Sequence, residues 1–170
     1  MASIDVVIPV LNEEEALPRC ITTLKRFLNN HLHGHTWHLT IADNGSTDDT
    51  LRIAEDFAAK HPGQIEYFHL ERRGRGRALR RAWLESKCEI VSYMDVDLST
   101  GLEAFPLLIR AVAEEGYHVA TGSRLMKGSQ IRRSLKRESI SRAYNLVIKA
   151  MFCTRFSDAQ CGFKALSRQA

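Results

Sequence analysis

The sequence predicts an α/β sandwich with a mostly parallel central sheet flanked by helices. Short apolar runs alternate with segments whose apolar residues recur at helical spacing, and turn-forming Asn, Asp, Gly or Pro separates them. That alternation is the signature of a parallel sheet with helical crossovers. At 170 residues with 44% hydrophobic content, the chain can bury one sizeable core and is expected to form a single domain.

In chain order, Ile4 to Pro9 is expected to be a strand and Glu13 to Leu28 a helix, with Leu17, Ile21, Leu24 and Leu28 on one face. A second strand covers about Leu39 to Ala42. The helix Asp48 to Ala59 follows it and ends at His61-Pro62-Gly63. Ile65 to Leu70 reads as the third strand and Arg77 to Glu85 as the third helix. Glu89 to Met94 is the fourth strand, Leu102 to Glu114 the next helix, and His118 to Thr121 the fifth strand.

Composition excludes several classes of function. Cys20, Cys88, Cys153 and Cys161 are scattered, lacking both zinc-type spacing and the density of a secreted disulfide scaffold, so reduced, partly buried thiols are expected. The start, MASIDVVIPV, has no basic segment before a long apolar run, and nowhere do 18 apolar residues stand together. A cytoplasmic setting follows as the expectation. The net charge of +4 points to an anionic partner without choosing one. A nucleic-acid module would interleave aromatics with its basic residues or carry a recognition motif, and the Arg72 to Arg81 run does neither. The cluster His31, His33, His35 and His38 has no carboxylate or cysteine to complete a metal set and reads as a solvated loop. Trp37 and Trp83 read as core or half-buried anchors.

Ligands of open α/β sheets sit outside the carboxyl ends of the strands, so those turns carry the functional reading. The first, PVLNEEEAL, has no glycine fingerprint. Asn12 reads as an N-cap ahead of Glu13, Glu14 and Glu15, acids that complement a helix dipole and would repel a phosphate. The second, IADNGSTDDT, sets Asp43 and Asn44 after a strand, with Ser46 or Thr47 available to cap the next helix. Two successive turns lined with acceptors suit a nucleoside. In the third, ERRGRGRALRRA, Gly74 and Gly76 allow close backbone approach while Arg72, Arg73, Arg75 and Arg77 supply charge, either for a phosphate or as a solvated basic helix entry. The fourth, VSYMDVDLST, places Asp95 and Asp97 one residue apart. In an extended strand such a pair points the same way, and a hard divalent ion, Mg²⁺ or Mn²⁺, would relieve their repulsion while bridging to a diphosphate.

Taken together, PVLNEEEAL, ADNGSTDDT, RGRGRALRRA, YMDVDLST, TGSRL and SDAQCGFKA resemble, in that order, the inverting family 2 glycosyltransferases of the GT-A fold. The branch most similar is the dolichyl- or polyprenyl-phosphate glucosyltransferases and their bacterial relatives. The resemblance implies a nucleotide-binding part over about residues 1–100 and an acceptor-side part over about 101–170. Relatives continue past the CGFK strand, so the acceptor side is expected to be incomplete.

Residue by residue, the resemblance implies that Pro9, Leu11, Asn12 and Glu13 line the nucleoside pocket and that Asp43, with Asn44 and Gly45, meets the base. Arg75 stands where relatives usually carry lysine. Asp95 and Asp97 match the metal-binding pair holding the donor diphosphate. Arg124 matches an arginine facing the acceptor phosphate, with Arg132 beside it, and Asp158 and Gln160 match the acceptor-side motif. Asp97, Arg124 and Asp158 are thereby the implied catalytic groups. Ser99 stands where many mannosyl relatives have glutamine, which favours UDP-glucose as donor over GDP-mannose. The implied acceptor is a polyprenyl or dolichyl phosphate, with a donor-binding fragment lacking turnover as the competing reading. The basic segment Arg124 to Lys149, followed by Met151 and Phe152, can lie on an anionic membrane surface or present a solvated face. The first reading implies a peripheral position at the cytoplasmic membrane face.

Overall fold

The computed structural model describes residues 1–99, 101–122, 151 and 161–169. Six strands, β1 (Ser3–Val10), β2 (Thr36–Asp43), β3 (Ile65–His69), β4 (Ile90–Met94), β5 (Val119–Thr121) and β6 (Phe163–Ser167), form one sheet in the order β3-β2-β1-β4-β6-β5. β1, β2, β3 and β4 run parallel, whereas β6 is antiparallel to both of its neighbours. The expected mostly parallel α/β sheet is therefore present, with one antiparallel strand wedged between β4 and β5. Four α-helices accompany it: α1 (Ala16–His31), α2 (Thr50–Lys60), α3 (Arg75–Glu85) and α4 (Phe105–Ala113).

β1 lies at the centre and is buried on both faces, which explains its near-continuous apolar run. Ile4, Val6, Ile8 and Val10 point into a large core that also holds Leu17, Ile21, Leu24 and Leu28 of α1, Ala54 of α2 and Phe105 of α4. All four predicted α1 core residues are fully buried. Val7 points to the other face, where Ala78, Leu79 and Ala82 of α3 pack on Ala42 and Tyr93. Trp37 is buried and Trp83 packs partly buried at 5.9 Å from the Tyr93 ring, so both tryptophans are anchors. Among the described residues no helix is long and apolar enough to cross a membrane.

Two expected boundaries shift for physical reasons. The helix expected from Leu102 opens instead as a 3₁₀ turn, Leu102–Ala104, and α4 starts at Phe105 with Pro106 in its first turn, where the missing N–H costs nothing. α3 starts at Arg75, two residues early, because the Gly74 carbonyl accepts from the backbone N–H groups of Arg77 and Ala78 at 2.8 and 2.9 Å. The histidine cluster does not form one loop: His31 ends α1, stacked on Phe27 at 4.1 Å, and His38 lies within β2. Cys20 and Cys88 are buried free thiols and Cys161 is buried, while Cys153 lies outside the described residues.

On the α3 face, Asp5 of β1 is 4% exposed and accepts a hydrogen bond from the Thr40 hydroxyl at 2.9 Å. Burial pushes its carboxyl above the ordinary 3.8, with the hydrogen bonds of Ser86 and Thr40 opposing the shift only in part. The folded protein thus holds this proton more tightly than the unfolded chain does. Asp5 favours folding most while protonated, and that contribution is lost as the pH rises above 3.8 toward its folded value. Asp5→Asn keeps an acceptor for Thr40 and removes the charge. Its stability relative to the parent is expected to rise with pH across that window in urea melts, and a difference independent of pH would refute the assignment.

Candidate donor-binding cleft

The first two turns at the carboxyl edge of the sheet hold each other. Asn12 adopts a left-handed conformation, φ 55°, which a short polar side chain tolerates. Its side-chain oxygen accepts from the Thr47 N–H at 2.8 Å, and its own N–H donates to Ser46 Oγ at 2.9 Å. The Glu13 N–H donates to Thr50 Oγ1 at 2.8 Å, and Glu14 Oε2 accepts from the Asp49 N–H at 2.9 Å. Asn12 is therefore not the N-cap of α1, which begins after Glu15 without a side-chain cap and has no acid in its first turn. Neither Ser46 nor Thr47 caps α2, whose first N–H, that of Thr50, goes to Asp48 Oδ1 at 3.0 Å. Each turn spends its polar groups on the other.

Asp43, at the end of β2, organises the second turn. Its side chain is fully buried; Oδ1 accepts from both the backbone N–H and the hydroxyl of Ser46, and Oδ2 lies 2.6 Å from His69 Nδ1. Next to it, Asn44 Oδ1 accepts from the Gly74 N–H at 2.6 Å, tying the second turn to the start of α3. Gly45 has φ 83°, and a Cβ there would meet the Leu70 carbonyl at 3.0 Å, so this position requires glycine on both counts. His69 and Gly74 owe these roles to partners 26 and 30 residues away, respectively, and carry no local signal.

β4 ends at Met94, so Asp95 and Asp97 do not lie in an extended strand as the spacing argument assumed. They sit in a turn closed by the Leu98 N–H to the Asp95 carbonyl at 3.0 Å, with Leu98 itself at φ 49°. Asp97 Oδ1 then accepts from the Ser99 N–H at 3.0 Å. Both aspartates nevertheless line one cleft of about 410 Å³ together with Pro9, Leu11, Glu13, Asn44 and Arg75. That volume falls in the range of small-molecule sites. Asn12 and Asp43 hold the turns beside the cleft through their bonds to Thr47 and Ser46. Arg124, Arg132, Asp158 and Gln160 lie outside the described residues.

The electrostatics of the cleft are mixed. Arg75 forms an ion pair with Asp95 and stands 5.7 Å from the centroid of the Tyr93 ring. Burial pushes the Cys20 thiol up to about 12, with the charges of Asp97 and Glu13 adding to the effect. Cys20 is therefore a closed-off thiol and no nucleophile at neutral pH. Asp95 and Asp97 offer the hard oxygen donors that Mg²⁺ or Mn²⁺ takes, and the Arg75 guanidinium already satisfies one of them as a cation. Among the described residues no group of three or more His, Cys, Asp or Glu side chains could hold a metal. A metal here would complete its shell with phosphate oxygens and water.

A cleft at the ends of β1, β2 and β4, lined by Glu13, Asp95, Asp97 and Arg75, is the setting in which the comparisons with known proteins become specific. The model of "Glycosyl transferase family 2" matches residues 5–170. The chain belongs to that family. It is 34% identical to glycosyltransferase AglD of Haloferax volcanii, over 98% of this chain and 27% of that protein. It is 28% identical to the mouse dolichyl-phosphate beta-glucosyltransferase, over 98% of this chain and 55% of that protein. Among solved structures, it superposes on the family-wide fold of the Mycobacterium tuberculosis glucosyl-3-phosphoglycerate synthase, in complex with Mn²⁺, UDP-glucose and glycerol 3-phosphate. The TM-score is 0.66 at 25% identity, covering 99% of this chain and 57% of that one. The chain thus spans between about a quarter and just over half of these relatives, and the family 2 fold expected from its six motifs is present.

Proposed function

We propose that this family 2 domain transfers a hexose from a nucleotide diphosphate sugar, UDP-glucose in first place, to a polyprenyl or dolichyl phosphate with inversion at the anomeric carbon. The observation that carries the reading is the convergence of Asn44, Glu13, Arg75, Asp95 and Asp97 on one cleft at the carboxyl edge of the sheet. The names of the relatives support the acceptor: AglD aside, the mouse protein is a dolichyl-phosphate beta-glucosyltransferase. The solved complex with UDP-glucose and Mn²⁺ supports the donor and the metal.

In this reading Glu13 and Asn44 receive the N–H and O–H groups of the nucleoside, for which acceptors are the complement. Asp95 and Asp97 would hold Mg²⁺ or Mn²⁺, which when bound neutralises charge on the departing diphosphate. Arg75 sits at the same wall and supplies a fixed positive charge to that group. An acceptor phosphate is already anionic at neutral pH and attacks without a general base. Had the acceptor been a sugar hydroxyl, a carboxylate base would be needed, and Asp158 is the sequence's candidate. Residues 1–100 serve the donor and residues 101–170 the acceptor, the latter at a cytoplasmic membrane face.

The test is calorimetry with UDP-glucose and GDP-mannose, each with and without Mn²⁺, followed by turnover on a short-chain polyprenyl phosphate. Metal-dependent binding of UDP-glucose with lipid-linked product of inverted configuration is expected. Preference for GDP-mannose would move the assignment to a mannosyl donor. Donor binding with no transfer to any phosphate acceptor would leave a donor-binding domain.

A further inference from the structure

Gly162 lies within the SDAQCGFKA motif, immediately before β6, and its place in the sheet sets it beside the aspartate pair. In the antiparallel β4–β6 register Met94 faces Phe163, so the next step brings Asp95 opposite Gly162. A Cβ built on Gly162 would lie 2.8 Å from the Asp95 Cγ and 3.1 Å from its Oδ1, and closer still to Oδ2. No real side chain tolerates such contacts. Gly162 is not among the glycines with positive φ, so glycine is not needed there for backbone freedom. It is needed for room.

The backbone at Gly162 has little freedom to move away. Phe163 is 1% exposed and packs against the Phe105 ring at 5.7 Å, and its carbonyl accepts from the Gly122 N–H at 2.8 Å. On the preceding side, the Cys161 carbonyl accepts from the Tyr93 hydroxyl at 3.2 Å. β6 is thus pinned by β4 and β5, whereas the Asp95 side chain is 29% exposed and rotates about its Cα–Cβ and Cβ–Cγ bonds. Any relief of a clash must come from Asp95.

We infer that Gly162 is a positioning residue for Asp95: its bare backbone is the floor on which the carboxylate lies, facing Arg75 and the cleft. A side chain at 162 would lever the carboxylate out of that place and so disturb the pair that holds the diphosphate. The consequence for metal rests on the reading under Proposed function; the steric relation between the two residues does not.

Two measurements separate these claims. The first is a thermal double-mutant cycle combining Gly162→Ala with Asp95→Ala. Gly162→Ala alone is expected to lower Tm by about 5 °C, and to change it by less than about 2 °C once the Asp95 carboxylate is gone. Failure of the single variant to fold, with recovery in the double variant, carries the same meaning. Equal losses in both backgrounds, or failure to fold in both, would overturn the inference. Gly122→Ala is the control: its Cβ would meet Cys161 and Phe163 at 3.2 Å and not Asp95, so its effect is expected to be independent of Asp95→Ala. The second measurement is Mn²⁺ affinity by electron paramagnetic resonance in the presence of UDP, where Gly162→Ala is expected to weaken binding about 10-fold or more. Unchanged Mn²⁺ affinity in a parent that binds the ion would overturn the positioning role. A parent that binds no Mn²⁺ would defeat the metal reading, and the thermal cycle would still decide the relation between Gly162 and Asp95.

Discussion

Replacing Asp95 and Asp97 together by asparagine is expected to remove Mn²⁺-dependent binding of the nucleotide sugar and to lower transfer about 10³-fold or more, with little change in Tm. Asparagine preserves volume, and at position 97 its oxygen still accepts from the Ser99 N–H. The ion pair that disappears, Arg75 with Asp95, has side chains 53% and 29% exposed, and pairs of that kind contribute about 0–1 kcal/mol. Fold and function therefore separate cleanly in this variant. Calorimetry with and without Mn²⁺, beside a thermal melt, reads both; a folded variant that retains metal-dependent donor binding would sink the assignment. Arg75→Ala refines it, because Arg75 is paired with Asp95 in the free protein and, in the proposed reading, would face the diphosphate once the donor binds. Without donor the variant is expected to bind Mn²⁺ more tightly, and with the metal in place to bind UDP more weakly.

How much of this was legible in the sequence follows the range of the interactions. The strands and their parallel alternation were legible because a central parallel strand is apolar throughout, as β1 is, and because helix α1 repeats its buried face at regular spacing. The insertion of β6 between β4 and β5 was not, since no local pattern says which edge a late strand joins. At the candidate site, Pro9, Leu11, Glu13, Asn44, Arg75, Asp95 and Asp97, singled out at the strand ends, line one cleft together with Val10 and Val96. The capping roles given to Asn12, Ser46 and Thr47 failed because local capping rules assume that a polar side chain serves its own helix. Here Asn12 serves a turn 35 residues away. His69 and Gly162 were passed over for the same reason, each defined by a partner distant in the sequence. Only the presence of glycine inside a recognised motif could have pointed to Gly162, and nothing in the sequence says that an aspartate carboxylate takes up the space.

Asp43→Ala is expected to destabilise the fold by about 2 kcal/mol, because a fully buried carboxylate that ties Ser46 to His69 is lost. The side chain is fully buried and accepts from the Ser46 N–H and hydroxyl through one oxygen while pairing with His69 Nδ1 through the other. Its removal leaves the part-buried Ser46 and His69 groups without this shared acceptor, and it unties β2 from β3 beneath the cleft. Asp43→Asn is the discriminating partner. Its amide oxygen still accepts from Ser46, and its amino group faces the His69 ring in the tautomer whose Nδ1 accepts, so a loss of about 1 kcal/mol is expected. Urea titration of the three proteins checks the order parent, asparagine, alanine; an alanine variant as stable as the parent would show that this carboxylate does not organise the turn. The same pair tests the base contact that the resemblance to family 2 implies. A carboxylate accepting from a base N–H cannot be replaced there by an amide turned to serve Ser46 and His69. A stable Asp43→Asn protein that binds UDP about tenfold more weakly would place the base against this residue, and unchanged UDP affinity would confine Asp43 to supporting the turn that presents Asn44.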